Sequence, residues 1–177
     1  MGIELDVIPI SFDAICWHQI ISFAKTAAKV SVSIPRNLQL RDLRSKERVD
    51  EFESLACPGY YYCTSDDGSA LSITLEPTVD GEEDWSYLSD FGRSFTAKEV
   101  REVFDQWISV GLLISIASGG GRPKRELKTL MYLAIALAQL TSGYVVVKDS
   151  TIHKITIGIY RPDEILCVLE NDADLND

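Results

Sequence analysis

The feature that most constrains the fold is the segment Lys124–Leu140, the most apolar of the predicted helices, whose apolar run covers residues 130–140. Pro123 precedes it, and proline suits the first turn of a helix because its missing N–H has no partner there in any case. Gly143 follows it, where a left-handed helix cap favours glycine. A run of Leu, Ile and Ala of this kind is typical of a helix that is buried in the core. The sequence therefore predicts a central buried helix at these residues.

Spacing of apolar residues and turn signals predict the remaining elements. Further helices are predicted at residues 14–28, at residues 45–56, from the capping box Thr96-Ala97-Lys98-Glu99 to about Ile116, and as a short helix opening at Pro162. Strands are predicted at residues 3–10, 29–34, 144–147 and 151–160, with a hairpin of residues 60–64 and 70–75 around Asp67-Gly68. The acidic residues 76–90 are interpreted as a loop or irregular strand, and residues 171–177 as a frayed acidic tail.

The order of these elements indicates the fold class. Strands and helices do not alternate regularly, which disfavours a doubly wound parallel sheet. We expect a single α+β domain over residues 1–177, with a mixed or antiparallel sheet and the helices packed on one face. A chain of 177 residues can bury one ordinary hydrophobic core without disulfides or metals.

The charge of the chain restricts its partners. With 27 acidic and 17 basic side chains, the formal net charge is −10. Affinity for nucleic acid normally depends on lysine and arginine side chains that neutralise phosphates, so we expect no nucleic-acid partner unless the bases are concentrated on one face. A basic protein would instead be attracted and steered.

Cysteine spacing and apolar run lengths point to the cytoplasm. Cys16, Cys57, Cys63 and Cys167 form no CxxC pair, and we expect free, mostly buried thiols in a reducing compartment. We see no signal peptide. The longest apolar stretches, residues 107–117 and 130–140, are too short to span a bilayer, so no membrane association is expected.

Residues for catalysis are sparse. The two histidines, His18 and His153, have no spacing with cysteines or acids that builds a metal site, and no nucleophile motif is present. A cysteine–histidine pair could form only through the fold. We therefore expect no catalytic residues, no metal and no cofactor, and a protein that is not an enzyme.

An acidic segment with two aromatic residues is the leading candidate for a partner-binding site. Its candidate contact residues are Asp80, Glu82, Glu83, Asp84, Trp85 and Tyr87. Aromatic side chains supply desolvated anchors in interfaces, and carboxylates meet basic groups on a partner. The alternative interpretation is a solvated loop whose tryptophan packs into the core.

A glycine-rich basic segment is the second candidate. Following Gly119, an anion-binding nest could form from Gly120, Gly121, Arg122, Lys124 and Arg125. The spacing of a P-loop is absent, and the predicted context joins two helices rather than a strand to a helix. The alternative is a flexible interhelical loop.

One part of the sequence resembles a known group of proteins. Residues 133–148 read LAIALAQLTSGYVVVK, and a predicted strand leads into Tyr160-Arg161-Pro162-Asp163-Glu164-Ile165. This pattern is similar to the C-terminal half of small bacterial immunity proteins from polymorphic-toxin and contact-dependent growth inhibition systems. The resemblance implies a cytoplasmic protein that binds and neutralises one cognate toxin and has no activity of its own.

These observations favour a binding protein that neutralises a basic toxin through an acidic surface. The main alternative is a small enzyme or ligand-binding domain that holds an anionic ligand at Gly119–Arg125, and a third possibility is a structural subunit of a larger complex.

Overall fold

The computed structural model describes residues 2–28, 34–35, 37–65, 70–78, 81–92, 95–119, 124–149 and 155–171, without the side chains of residues 81–82 and 124–125. The strands are β1 (Ile3–Ile8), β2 (Gln39–Asp42), β3 (Gly59–Thr64), β4 (Ala70–Pro77), β5 (Leu112–Ser118), β6 (Tyr144–Val147) and β7 (Gly158–Tyr160). The helices are α1 (Trp17–Ala28), α2 (Gly81–Phe91), α3 (Ala97–Val110), α4 (Lys124–Leu140) and α5 (Pro162–Asn171).

The strands form one seven-stranded antiparallel sheet in the order β2-β3-β4-β5-β1-β6-β7. In β1, Leu5 lies opposite Ile116 of β5 on one side and opposite Val147 of β6 on the other. The predicted hairpin is confirmed by the pairing of β3 with β4, although its Asp67-Gly68 turn lies outside the described residues. The sheet and its five helices confirm the α+β class.

The central helix is confirmed as well. Every residue of α4 from Leu130 to Ala138 is buried, and Leu133 and Leu137 are fully enclosed. On one side α4 packs against α1 and α5, and on the other against the sheet face that carries Leu5, Ile73 and Ile114 of β1, β4 and β5. A helix enclosed between a sheet and two other helices needs apolar residues on all sides, and residues 130–138 supply them.

Helices cover both faces of the sheet. The prediction placed them on one face, where α1, α4 and α5 lie. On the other face α2 and α3 pack over β1, β6 and β7, around Trp107, Ile8, Val146 and Ile159. The indole N–H of Trp107 donates to the Leu112 carbonyl oxygen at 2.7 Å, which satisfies a buried polar group.

Helix α3 begins where predicted and ends earlier. Thr96 and Glu99 form the capping box, with the Glu99 carboxylate accepting from the Thr96 backbone N–H at 2.8 Å. The prediction of a helix to about Ile116 is wrong, because Gly111 adopts a left-handed conformation (φ 69°) and its N–H donates to the Trp107 carbonyl oxygen. The next residues form β5, with alternate side chains buried.

The helix predicted at residues 45–56 is absent. Its backbone instead bonds to neighbouring elements: the Val49 N–H donates to Leu40 of β2, and the Leu55 N–H donates to Ile15. The Asp50 carboxylate accepts from the Phe52 N–H at 2.8 Å, a local bond that competes with helix formation. The segment is a folded loop, and the short strand β2 was not predicted.

The interpretation of residues 76–90 as a loop or irregular strand is also wrong. Strand β4 extends to Pro77 and helix α2 begins at Gly81. Leu88 of this helix is fully buried against α3. Carboxylates near the first turn favour a helix because they interact with its positive end.

The other predicted elements agree in part. Helix α1 begins at Trp17 rather than residue 14, and β1 ends at Ile8; α5 begins at Pro162 as predicted. Apart from Ile34, the strand predicted at residues 29–34 lies outside the described residues, as do residues 172–177 of the tail. Of the strand predicted at residues 151–160, the structure contains β7.

Candidate functional site

The predicted acidic segment occupies the first half of α2. Asp80 lies outside the described residues, and Glu82 belongs to the helix without a described side chain. Glu83 is exposed, whereas Asp84, Trp85 and Tyr87 are each half-buried. The structure therefore presents part of this segment to solvent and turns another part inward.

Trp85 lies at the contact between α2 and α3. Its ring meets the Phe104 ring edge-on at 5.0 Å between centroids, and the Arg101 guanidinium lies 5.4 Å from the indole centroid. The indole is thus fixed in place without a partner, but its contacts also join two helices. The predicted anchor is a half-buried residue that packs between α2 and α3.

Tyr87 is used inside the fold. Its hydroxyl donates to Oδ2 of Asp6, a carboxylate only 1% exposed on the second face of the sheet. Burial, and then the Asp6 charge, raise the pKa of the Tyr87 hydroxyl far above its ordinary range. Its hydroxyl is therefore used within the fold, and only the rest of the half-buried ring is left for the predicted partner contact.

Asp6 is the centre of a buried polar cluster. Ser115 Oγ donates to Oδ1 at 2.6 Å, and Lys148 Nζ lies 3.0 Å from Oδ2 and also contacts Glu4. Burial acts to lower the pKa of Lys148, but the Asp6 and Glu4 carboxylates outweigh it and raise that pKa overall. Because both Asp6 oxygens accept bonds from protein donors, the cluster joins α2 to the sheet.

A different residue presents the stronger interaction feature. Phe52 is 66% exposed, which makes it the most exposed large apolar side chain among the described residues. Asp50, Glu51 and Glu53 beside it are exposed too, and its ring stacks on His18 with 4.7 Å between centroids. An aromatic ring surrounded by three carboxylates is therefore held at the surface.

The loop that carries Phe52, residues 50–53, is tied to α1. The His18 N–H donates to the Glu51 carbonyl oxygen at 2.7 Å, and the Leu55 N–H donates to the Ile15 carbonyl oxygen at 2.8 Å. Since the loop is already ordered, a partner loses little conformational entropy in fixing it. We call residues 50–53 the acidic loop.

Sequence reasoning missed Phe52 because it placed Val49, Phe52 and Leu55 on one face of a helix. In the structure Leu55 is buried while Phe52 points to solvent. One signal was present in the sequence, namely three acids around a single aromatic residue. That pattern is atypical of a ring destined for the core.

The predicted anion-binding segment connects a strand to a helix. Gly119 follows β5 and α4 begins at Lys124, so the prediction that the segment joins two helices is wrong. Gly120, Gly121 and Arg122 lie outside the described residues, and the side chains of Lys124 and Arg125 are not described. Glu126 in the first turn of α4 is buried, and its carboxylate would compete with an anion for the positive end of the helix.

The two histidines and four cysteines are the residues of this chain from which a nucleophile or a metal site would normally be built. His18 is exposed beside Phe52, and His153 lies outside the described residues. All four cysteines are free, but Cys63 alone is buried, whereas Cys57 and Cys167 are exposed. Burial raises the pKa of both the Cys57 and Cys63 thiols, opposite to the shift that activates a nucleophile. The described residues contain no group of three or more potential ligands able to hold a metal ion.

Comparison with models of protein families, with curated proteins and with solved structures finds no match to this chain. Within the part of the chain that the structure describes, no helix has both the length and the apolarity needed to cross a bilayer.

Proposed function

We propose that this chain is a non-enzymatic binding protein that holds a basic protein partner, with Phe52 as its anchor. The observation that carries the proposal is the placement of a 66% exposed phenylalanine among Asp50, Glu51 and Glu53 on an ordered loop. The occupant that fits it is an apolar pocket with a basic rim.

The energetics assign different roles to the ring and the acids. Aromatic residues buried at the centre of an interface commonly contribute about 2 kcal/mol or more, mostly through slower dissociation. Exposed carboxylates instead attract a positive surface and raise the association rate. A net charge of −10 extends this attraction beyond the contact itself.

The resemblance to small immunity proteins suggests which basic protein this is. In that interpretation the partner is a cognate toxin, such as a nuclease whose own surface is positive to suit nucleic acid, and the chain neutralises it in the cytoplasm. The exposed part of the α2 segment, including Glu83, lies on the other face of the sheet and would have to contact a partner separately from Phe52.

Binding kinetics test the anchor. The assay requires a partner, and we expect a basic protein to co-purify with the chain from its source cell; recovery of an acidic partner would contradict the proposal. Phe52→Ala should speed dissociation roughly 30-fold, which corresponds to about 2 kcal/mol. The matched control is Phe23→Ala, because Phe23 is 43% exposed on α1 and should leave dissociation unchanged. Equal effects of the two substitutions would eliminate Phe52 as the anchor.

A second set of variants tests the acids. Asp50→Asn, Glu51→Gln and Glu53→Gln together should slow association, and the Asp50→Asn change keeps a side-chain oxygen that can accept from the Phe52 N–H. The control changes the net charge equally at three scattered exposed acids, Glu76→Gln, Asp90→Asn and Asp163→Asn. If the control slows association as much, the acidic loop has no special role.

Anion binding before α4 is a second candidate function, because the glycine-rich segment follows a strand and precedes a helix as phosphate-binding loops do. Inorganic phosphate should then raise the melting temperature, and Arg122→Ala with Arg125→Ala should abolish the rise. An equal rise in the double variant would mean that phosphate acts elsewhere.

A further inference from the structure

Half of the second sheet face carries polar and aromatic side chains instead of a helix. The core beneath α2 and α3 takes strand residues from β1, β5, β6 and β7, and among the described residues none from β2, β3 or β4. Tyr60 and Tyr62 of β3 and Thr74 of β4 lie on this uncovered half, half-buried, since the alternate residues Tyr61 and Ile73 face the other core.

Basic side chains are concentrated on this half. The Arg44 guanidinium lies 4.8 Å from the Tyr60 ring centroid, and Lys46 Nζ lies 5.7 Å from the Tyr62 ring centroid. Arg41 donates from Nη1 to the Lys46 carbonyl oxygen at 3.2 Å. The cations are therefore held in position, which lowers the entropy lost when they bind an anion.

Residues 41–48 form a hairpin that begins in β2 and is closed by a bridge between Arg41 and Arg48, and it contains two features that oppose its own stability. Lys46 has a positive φ of 65°, a conformation that glycine or asparagine adopts with less strain. Arg41 and Arg48 form an antiparallel bridge, so two like charges lie directly opposite each other. Local strain and like-charge pairs of this kind are typical of binding surfaces, where a ligand supplies the missing counter-charge.

We infer that this surface, formed by Arg41, Arg44, Lys46, Arg48, Tyr60 and Tyr62, binds an extended acidic segment of a partner protein. Tyr60 and Tyr62 are two residues apart on one strand, so their Cα atoms, on which the two cation–ring pairs are built, lie roughly 7 Å apart. Side chains on one side of an extended peptide repeat at the same distance. A segment with carboxylates at alternate positions therefore matches the two cations, and guanidinium groups bind carboxylates through paired hydrogen bonds.

The geometry favours a protein segment over single-stranded nucleic acid. Nucleic-acid platforms stack bases on open aromatic rings, whereas here Arg44 and Lys46 already cover the rings. The net charge of −10 also disfavours a continuous phosphate chain, which would be repelled by the molecule as a whole. A protein segment can place a few carboxylates at the cations and neutral residues elsewhere.

Fluorescence anisotropy with defined peptides tests the inference on the full chain. The probe is a labelled ten-residue peptide of alternating glutamate and threonine, with an alternating glutamine–threonine peptide as the uncharged control. We expect binding of the glutamate peptide alone. The double variant Arg44→Gln and Lys46→Asn should weaken it at least tenfold, whereas Lys98→Gln, which removes an exposed cation of α3, should not.

A stability measurement separates recognition from folding. Lys46→Asn should raise the melting temperature or leave it unchanged, because asparagine tolerates the left-handed backbone. The same substitution should lower the affinity for the glutamate–threonine peptide. If the melting temperature and the peptide affinity both fall, Lys46 has a structural role, which would overturn its assignment to peptide binding.

The inference as a whole would be overturned if the glutamate peptide does not bind, or if the double variant binds it as tightly as the original chain. It would also be overturned if a ten-nucleotide oligo-dT binds more tightly than the peptide and depends on the same residues. The last outcome would identify a nucleic-acid surface instead. The inference is independent of the proposed basic partner, since Phe52→Ala should leave peptide binding intact.

Discussion

Asp6 lies only 1% exposed on the second face of the sheet, beside β5 and beneath α2. An isolated buried carboxylate costs several kcal/mol, and here Ser115, Tyr87 and Lys148 offset that cost. Because the donors come from α2, from β5 and from the residue that follows β6, the cluster fixes how α2 packs on the sheet. It therefore favours a specific packing as well as stability.

Removing the tyrosine hydroxyl measures this contribution. Tyr87→Phe should lower the free energy of unfolding by about 1.5–3 kcal/mol, since a hydrogen bond to a charged group is lost in a buried site. Urea denaturation provides the measurement. The control is Tyr160→Phe, because the Tyr160 hydroxyl bonds to the neutral Thr156 carbonyl oxygen at 2.8 Å near the surface. Equal losses would contradict a special role for Asp6.

Three residues predict that the fold is sensitive to alkali. The pKa values of Cys63, Tyr87 and Lys148 are raised above their ordinary values of 9.0, 10.0 and 10.5. Desolvation raises the first two, and for Lys148 the Asp6 and Glu4 charges outweigh an opposing desolvation. Each group stays protonated to a higher pH in the folded state than in the unfolded state. Its contribution to the free energy of unfolding is therefore complete below the ordinary pKa and is lost as the pH rises towards the raised pKa.

The free energy of unfolding should thus fall above about pH 9, by up to about 1.4 kcal/mol per pH unit for each group. Urea denaturation at pH 8, 9, 10 and 10.5 gives the profile, and Tyr87→Phe should make it shallower. A flat profile to pH 10.5 would contradict the assigned shifts.

At the scale of elements, the sequence predicts structures whose signals are local. The capping box at Thr96, the proline before α4 and the glycine after it identify helix ends within a few residues. The β3–β4 pair follows from two strand-forming runs flanking an Asp-Gly turn signal. In each case the deciding contact lies within one segment.

Other elements depend on distant contacts. Residues 112–118 are apolar enough to continue a helix, and only the left-handed Gly111 with pairing to β1 and β4 makes them a strand. The exposure of Phe52 likewise results from bonds of its loop to β2 and α1. The acids around Phe52 are visible in the sequence, but the exposure of its ring depends on these distant bonds, so the sequence pattern favours Trp85 instead.

The position of α4 makes a strong prediction about stability. Leu133→Asp or Leu137→Asp should unfold the protein, because an unpaired buried charge costs several kcal/mol against a total of roughly 5–15. Leu43→Asp is the control, since Leu43 is 45% exposed. Circular dichroism and urea denaturation distinguish the cases. A folded Leu133→Asp variant of unchanged stability would contradict the central placement of α4.

At the scale of the whole molecule, charge is unevenly arranged. The net charge is −10, yet residues 41–48 contain four of the 17 basic side chains. The acidic loop follows directly in sequence. At long range a partner interacts with the net negative charge of the whole molecule, whereas close to residues 41–48 it interacts mainly with their four cations. Salt screens the long-range interaction more strongly and so changes the balance between the two.

Salt should consequently have opposite effects on association at the two proposed surfaces. At about 0.01 M salt charges act over roughly 30 Å, so the whole molecule attracts a basic protein and repels the glutamate–threonine peptide. At about 0.15 M the range shrinks to roughly 8 Å, and the peptide then experiences mainly Arg41, Arg44 and Lys46. Stopped-flow measurements should show that the association rate constant falls with salt for the basic partner and rises for the peptide. A rate constant for the peptide that falls as steeply as that of the basic partner would show that the local cations dominate at every distance, contrary to the charge distribution of this chain.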